Sequence, residues 1–375
     1  MDRSNLEGAF AAFHDIAGHP ARALRQFEQE TGKKAVGCFP VYTPEPIIHA
    51  AGTLPMGLWG GRVELDKVRA WLPSFACSIM QANLELELQG AYDSLAAVLI
   101  PTLCDTLKCV GQKWKGACPA IQFVHPQHRQ LVASVPYLAG EYAMIRDRLS
   151  EILGVEITDQ AIQDSLEVYD RHNAVMREFS ALAGLYQISP VDRHAVMKSA
   201  LYVRKERHTR MVEDLMERMR QSPPGPRRTK RVVLTGILAE PNGVLEALEE
   251  YGFSVAADDL AQESRQYSTD YPAGGAPLKR MARQWQEQDC SLAYDEKKGR
   301  LHKLARTVEE TGADGVIVCM MKFCDPEEFD YPIIRKILAQ RDIPHLYLEL
   351  DQQMTSFEQL KTRIQTFADL LEERS

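Results

Sequence analysis

Seven short runs of apolar and β-branched residues recur along this chain, and longer amphipathic stretches separate them. The runs are Ala35–Phe39, Ala97–Pro101, Ala120–Val124, Arg231–Ile237, Phe253–Ala257, Gly315–Met320 and His345–Leu350. Each is too short for a helix and too apolar for a half-exposed strand. Buried strands joined by helices need crossover connections, so the pattern predicts parallel sheets.

The spacing also divides the chain. From about residue 135 to residue 221 the strand signal disappears and the periodicity is helical, with Thr158 and Ser189 as N-caps. The segment QSPPGP then breaks any helix, and Arg227, Arg228, Lys230 and Arg231 follow it at once. We read an N-terminal α/β unit over residues 1–134, a helical insert over 135–221, a linker over 222–230 and a C-terminal α/β unit over 231–375. A chain of 375 residues is too long for one ordinary core, which agrees with that division. The predicted class is α/β, with two doubly wound, Rossmann- or flavodoxin-like parallel-sheet units and a helical insert between them.

Composition narrows the partners. A formal net charge of −8 argues against a bulk nucleic-acid binder. No apolar run has the length of a bilayer span, and the N-terminal MDRSNLEGAFAAFHDIAG lacks a compact apolar core, so the expected location is the cytoplasm. Thiols stay reduced there, so the eight cysteines do not read as a disulfide framework. Most free cysteines are small buried apolar residues. Two stand out because they end strands. In an open parallel sheet, ligands bind beyond the carboxyl ends of the strands. Cys104 follows AAVLIPTL and Cys324 follows GVIVCMMKF, so a cleft between the halves would bring two thiols together.

The thiol spacing excludes common alternatives. No C-x-x-C pair occurs, and neither the Cys104/Cys109 nor the Cys319/Cys324 pairing has the partners of a structural zinc site. No local signature marks a catalytic thiol with a histidine partner. Soft thiolates also suit iron–sulfur clusters. Neither a P-loop nor a dinucleotide-binding glycine motif is present.

The segment KKAVGCFPVYTPEPIIHAAGTLPMGLWGG, residues 33–61, resembles the opening of the 2-hydroxyglutaryl-CoA dehydratase D-component family. Further blocks follow in the family's order: FACSIMQANLELELQGAYDSLAAVLIPTLCDTLK, AADDLAQESRQY, GADGVIVCMMKFCDPEEFDYP, and IPHLYLELDQQM with the FADLLEE tail. That family also holds lactoyl-CoA and 2-hydroxyisocaproyl-CoA dehydratases and ATP-dependent benzoyl-CoA reductases. The resemblance implies one [4Fe-4S] cluster per subunit, held by three cysteines. On this chain they map to Cys77 in FACSIM, Cys104 in PTLCDT and Cys324 in KFCDP. Cys38, Cys109, Cys118, Cys290 and Cys319 are then left as non-ligands.

DDLAQESR, LDQQM and PEEFDYP look closest to the β subunit of an (R)-2-hydroxyglutaryl-CoA dehydratase. Ala261 stands near the place where many relatives carry another cysteine. The implied reaction removes water from a 2-hydroxyacyl-CoA to give an enoyl-CoA. Acid–base catalysis of roughly 10²–10⁴-fold does not suffice, because the β-proton is not acidic and the hydroxyl leaves from the α-carbon. The family's route reduces the thioester to a ketyl radical with one electron, which is recycled. The implied partners are an α subunit in a heterodimer, an ATP-dependent iron–sulfur activator, and an acyl-CoA held mainly by the α subunit. No nucleic-acid or membrane partner is expected. Flavin mononucleotide (FMN) accompanies some members, and no motif here binds it. Two alternatives share the resemblance: a benzoyl-CoA reductase subunit, and a homodimeric double-cubane reductase.

Other features have plainer readings. Asp258, Asp259, Glu263 and Arg265 suggest either a site-lining network or acids at a helix N-terminus. Asp105 and Asp325 each follow a candidate ligand and read as helix caps. His49, Trp59 and Trp114 read as packing residues, and the basic linker as a solvated connector.

Overall fold

The computed structural model describes residues 3–221, 223–227, 230–289 and 294–374, with side chains from Gly8 onward. Cys290 and Arg228 lie outside the described residues.

Eight strands form two all-parallel sheets. The first holds β1 (Val36–Cys38), β2 (Pro55–Gly57), β3 (Ala97–Pro101) and β4 (Ala120–Phe123), in the order β2-β1-β3-β4. The second holds β5 (Arg231–Gly236), β6 (Ser254–Leu260), β7 (Gly315–Met321) and β8 (His345–Leu350), in the order β6-β5-β7-β8. The two orders are the same once each half is counted from its own first strand. The α/β class read from the sequence is therefore what the chain adopts. Every residue of β3 and β7 is buried, as expected of central strands covered on both faces.

All seven predicted strands form, and β2 is an eighth. Its sequence is Pro-Met-Gly, with no β-branched residue and a proline at its start. It survives as a three-residue edge strand, where a missing N–H costs no ladder bond.

Fourteen helices surround the sheets among the described residues. Before the first sheet come α1 (Arg3–Gly18) and α2 (Pro20–Thr31). Its strands are connected through α3 (Glu45–Ala50), α4 (Ser78–Leu88) and α5 (Asp105–Lys113). Between the sheets run α6 (Ser134–Leu153), α7 (Asp159–Tyr186), α8 (Pro190–Ser199) and α9 (Lys205–Arg220). The second sheet uses α10 (Gly243–Glu250), α11 (Pro277–Glu287), α12 (Gly299–Thr311), α13 (Asp325–Gln340) and α14 (Glu358–Glu373). The Thr158 hydroxyl accepts from Ala161 N at 3.1 Å to start α7, and Ser189 caps α8.

A separate helical core joins α1 to α7, α8 and α9 through Phe10, Phe13, Met176, Phe179, Val196 and Met216. Helix α7 also covers the edge strand β6. A Cβ on Gly184 would lie 2.2 Å from the Ala256 carbonyl, so only glycine permits that approach. Helix α11 of the second half packs on α6, so the helical layer grips both sheets.

The carboxyl edges of the sheets face each other. The Gln352 side-chain amide, just after β8, donates to the Trp59 carbonyl of the first half at 2.9 Å. Gln353 donates likewise to Gly61 O at 2.9 Å. No described helix is long and apolar enough to cross a membrane.

Candidate functional site

Chain order reverses between β1 and β3 in the first sheet and between β5 and β7 in the second. Such switch points open a crevice at the carboxyl ends of the strands. Here the two crevices merge into one cavity. It is lined by Pro40 and Val41 after β1, Cys104 after β3, Ile237 after β5, and Met321, Phe323 and Cys324 at the end of β7. Cys77, Ile79 and Met80 enter from the start of α4. Three cysteines from distant segments thus share one largely apolar pocket.

The local sequence presents each thiol in the same way. Cys77, Cys104 and Cys324 occupy the N-cap positions of α4, α5 and α13. Asp105 and Asp325 are therefore first helical residues, and the cap positions expected of them are occupied by Cys104, which accepts a cap hydrogen bond, and by Cys324, which does not. Free backbone N–H groups of a first turn point toward its cap. The Leu107 N–H donates to Cys104 Sγ at 3.5 Å. The three helices bring positive dipole ends to one place, which suits a bound anionic group.

Burial sets the electrostatics of the three thiols. It pushes Cys77 up to about 12, against the backbone N–H groups of Met80 and Ile79. Burial also raises Cys104, and it raises Cys324 well above the usual range, with Glu327 adding to the effect. Cys104 also raises Cys77, and both raise Cys324, because like charges this close would repel. Ionised together they need a compensating cationic group. No three His, Cys, Asp or Glu side chains among the described residues form a site for a single metal ion. The donor set is three soft sulfurs in an apolar pocket. That chemistry fits a thiolate-bound iron–sulfur cluster and does not fit a hard cation.

The other described cysteines are elsewhere. Cys319 is fully buried within β7, Cys118 is buried, and Cys109 is exposed on α5. Cys38 lines a second cavity with Glu45, Tyr169, Lys205, Tyr267 and Trp285. Pro40 and Val41 wall both cavities, so a single loop separates them. Ala261 is buried just beyond β6. His49 packs on the Tyr169 ring and bonds Ser165 Oγ at 2.8 Å, a structural role. In the linker, Arg227 donates to Gly312 O at 2.5 Å and Lys230 pairs with Glu372 at 2.6 Å. Both bind partners on their own chain, Arg227 from an exposed position and Lys230 from a mostly covered one.

The acids around Asp258 do not begin a helix. Asp258 and Asp259 end β6, and only a short 3-10 turn, Ser264–Tyr267, follows. They belong to two buried ion networks behind the pocket. In one, Arg193 of α8 bridges Asp258 and Glu263, while His194 joins Glu263 to Glu240. In the other, Arg265 and Arg300 bridge Asp259 and Glu327. Sequence reading found the acids but not Arg193, His194 or Arg300, which come from helices distant along the chain.

The mouth of the pocket is open on one side. A groove of about 800 Å³ passes Cys104, Asp105, Lys108, Asp325 and Phe329. Phe329 is 82% exposed, and Phe75, two residues before Cys77, is 69% exposed.

Residues 40–371 match the family model described as 2-hydroxyglutaryl-CoA dehydratase, D-component. The lactoyl-CoA dehydratase β subunit of Anaerotignum propionicum is 46% identical over 98% of this chain and 100% of its own length. The (R)-phenyllactyl-CoA dehydratase β subunit of Clostridium sporogenes is 42% identical, again over 98% and 100%. The (R)-2-hydroxyglutaryl-CoA dehydratase β subunit of Acidaminococcus fermentans is 37% identical over 96% of this chain and 98% of the relative.

Proposed function

The chain belongs to the 2-hydroxyglutaryl-CoA dehydratase D-component family, and from that premise we propose that it is the β subunit of a [4Fe-4S] 2-hydroxyacyl-CoA dehydratase. It is a component of a hydro-lyase that removes water from an (R)-2-hydroxyacyl-CoA to give the enoyl-CoA. Three β subunits with different acyl groups match it along nearly their whole lengths, which supports the subunit assignment. The lactoyl- and phenyllactyl-type subunits are more similar to it than the hydroxyglutaryl type. A short or aromatic acyl group is therefore as good a candidate as the glutaryl one.

The observation that carries the reading is the meeting of Cys77, Cys104 and Cys324 in one pocket at three helix N-termini. These thiolates would hold the cluster. When bound, a [4Fe-4S] cluster supplies one electron at a time at a potential that its surroundings adjust. The chain's own groups supply those surroundings. Pro40, Val41, Ile79, Leu107, Ile237 and Phe323 give the pocket an apolar wall. Backbone N–H groups of the first turns of α4 and α5 face the sulfurs and favour the charged thiolates. The exposed Phe329 in the open groove, with the exposed Phe75 two residues before Cys77, suits a face covered by the α subunit, which holds the acyl-CoA. An ATP-dependent iron–sulfur activator would deliver the electron.

Anaerobic co-expression with an α subunit tests this reading. About four irons and four sulfides on this chain are expected, by analogy with cysteine-held clusters. Alanine at Cys77, Cys104 or Cys324 should remove iron and dehydration together. Full iron in all three variants would sink the ligand assignment. ATP consumed in proportion to product, where a recycled electron needs only catalytic ATP, would move the chain to the reductase side of its family.

A further inference from the structure

The second buried ion network lies directly behind one of the three thiols. Glu327 is in the first turn of α13, and its backbone N–H donates to the Cys324 carbonyl at 3.1 Å. Its carboxylate turns away from solvent, with only 2% of the side chain exposed. One oxygen meets Arg265 at 3.1 Å and the other meets Arg300 at 2.9 Å. The arginine side chains are 1% and 3% exposed. Both also bind Asp259, and Arg300 reaches Asp330 at 3.5 Å.

The network is anchored on the strand ends that build the pocket. Arg265 donates to Gly236 O at 3.0 Å, and the next residue, Ile237, lines the pocket wall. Arg300 donates to the Thr235 hydroxyl at 3.1 Å. Fixed full charges are therefore held in a dry interior, a few residues from a candidate cluster ligand. Charges in such a place are screened far less than surface charges.

We propose that Glu327 and its two arginines set the reduction potential of the group held by Cys324, acting as positioning and tuning residues. This rests on the cluster reading above. Reduction adds one negative charge to a cluster. A carboxylate behind it opposes that charge, and a guanidinium favours it. Removing the Glu327 charge should therefore raise the midpoint potential. Removing an arginine charge should lower it, more weakly, because the arginines stand behind the carboxylate. The pairing keeps the site near neutrality, so that the chain can lose and regain one electron without a large bias from this side.

The experiment is an anaerobic redox titration of the co-expressed complex, followed by EPR, with iron content and thermal unfolding read in parallel. The variants are Glu327→Gln, Arg265→Gln, Arg300→Gln and Arg300→Lys. At a fixed potential, Glu327→Gln should raise the ratio of reduced to oxidised cluster on the order of tenfold, the size of a unit-charge effect in a protein interior. The two glutamine-for-arginine variants should lower it, and Arg300→Lys, which keeps the charge, should leave it unchanged. A network that only clamps α13 would shift unfolding and iron retention but give no opposed signs. Potentials that stay put, or move the same way in all variants with iron retained, overturn the proposal. Any single charge-removing variant that keeps its iron carries the sign alone. Absence of iron from the unaltered protein would overturn the cluster reading itself, which is a separate result.

Discussion

The Ser78 hydroxyl accepts the backbone N–H of Gln352 at 3.1 Å, joining the residue after Cys77 in the first half to the loop after β8 in the second. The same hydroxyl lies 3.1 Å from Met321 Sδ at the end of β7. Gln352 in turn reaches Trp59 O and the Glu240 carboxylate. This small side chain thus joins the Gln352 and Gln353 bonds in linking the two sheet edges at the pocket.

Ser78→Ala removes the side-chain acceptor of that buried N–H. An unpaired buried amide costs about 1–3 kcal/mol. We expect that loss of unfolding free energy from urea titration of the variant. The pocket should also loosen, so iron should dissociate faster under a chelator than from the unaltered protein. Unchanged stability and unchanged iron release would mean that the halves are held together elsewhere.

The remaining cysteines provide internal controls. Cys109 is exposed on α5, so Cys109→Ser should change stability by no more than about 0.5 kcal/mol and leave iron content alone. Cys319→Ala should cost more, about 1–2 kcal/mol, because a fully buried sulfur is lost from β7. It should still keep its iron. Iron loss in either variant, with the fold intact by circular dichroism, would redraw the ligand set.

Much of the fold was legible because central parallel strands are continuous apolar runs. β3 and β7 could hardly be anything else. β2 was not legible, because Pro-Met-Gly carries no strand propensity and pairs only as an edge. The site was half legible. Cys104 and Cys324 could be placed at strand ends from periodicity alone. Cys77 precedes a helix and follows no strand, so only the family resemblance singled it out. The ion networks were readable on their acidic side, where Asp258, Asp259 and Glu263 are neighbours in sequence. Arg265 was read beside them, but Arg193, His194 and Arg300 come from α8 and α12, and pairing at that separation follows from tertiary packing, which no local pattern encodes.

Arg193 makes that dependence measurable. Its guanidinium, 2% exposed, is bound by both Asp258 and Glu263. Arg193→Met would strand two buried carboxylates, and breaking such a pair from one side costs about 3–5 kcal/mol. Arg193→Lys should recover little of it, because a single ammonium lacks the planar fork that meets two carboxylates at once. Denaturant midpoints for the two variants check both statements. A lysine variant as stable as the parent would show that charge alone suffices.

Two glycines should respond in opposite directions. Gly236 ends β5 at φ +138°, and a Cβ there would stand 2.1 Å from the Cys319 carbonyl. Neither the conformation nor the contact can be accommodated without moving β7, so Gly236→Ala should cost more than about 3 kcal/mol. Gly140 lies within α6, and a Cβ there meets nothing within 4 Å. Gly140→Ala should stabilise the protein by about 0.5–1 kcal/mol through helix propensity. Thermal melts of the pair compare a strained backbone position with a free one.

Acid sensitivity should come first from buried imidazoles. Burial lowers His125, packed between Phe123 and Trp285, to about 3, although a backbone contact with Tyr42 opposes the shift. Burial and the nearby Lys205 charge lower His208 to about 3 as well. The unfolded chain protonates these groups near pH 6.5, while the folded chain does so only near 3. The unfolded state therefore binds more protons within that window, and stability falls as pH drops through it. Each group should cost about 2 kcal/mol at pH 5 relative to pH 7.5. His194 acts the other way. Burial would lower it, but the Glu240 and Glu263 carboxylates outweigh burial and raise it, so its contribution is present at low pH and lost as pH rises through its folded value. Unfolding free energies measured from pH 7.5 to 5 should fall overall, and His125→Leu should flatten the lower part of that slope by about 1.4 kcal/mol per pH unit. A slope identical in the parent and the variant would mean that His125 is already protonated in the folded protein.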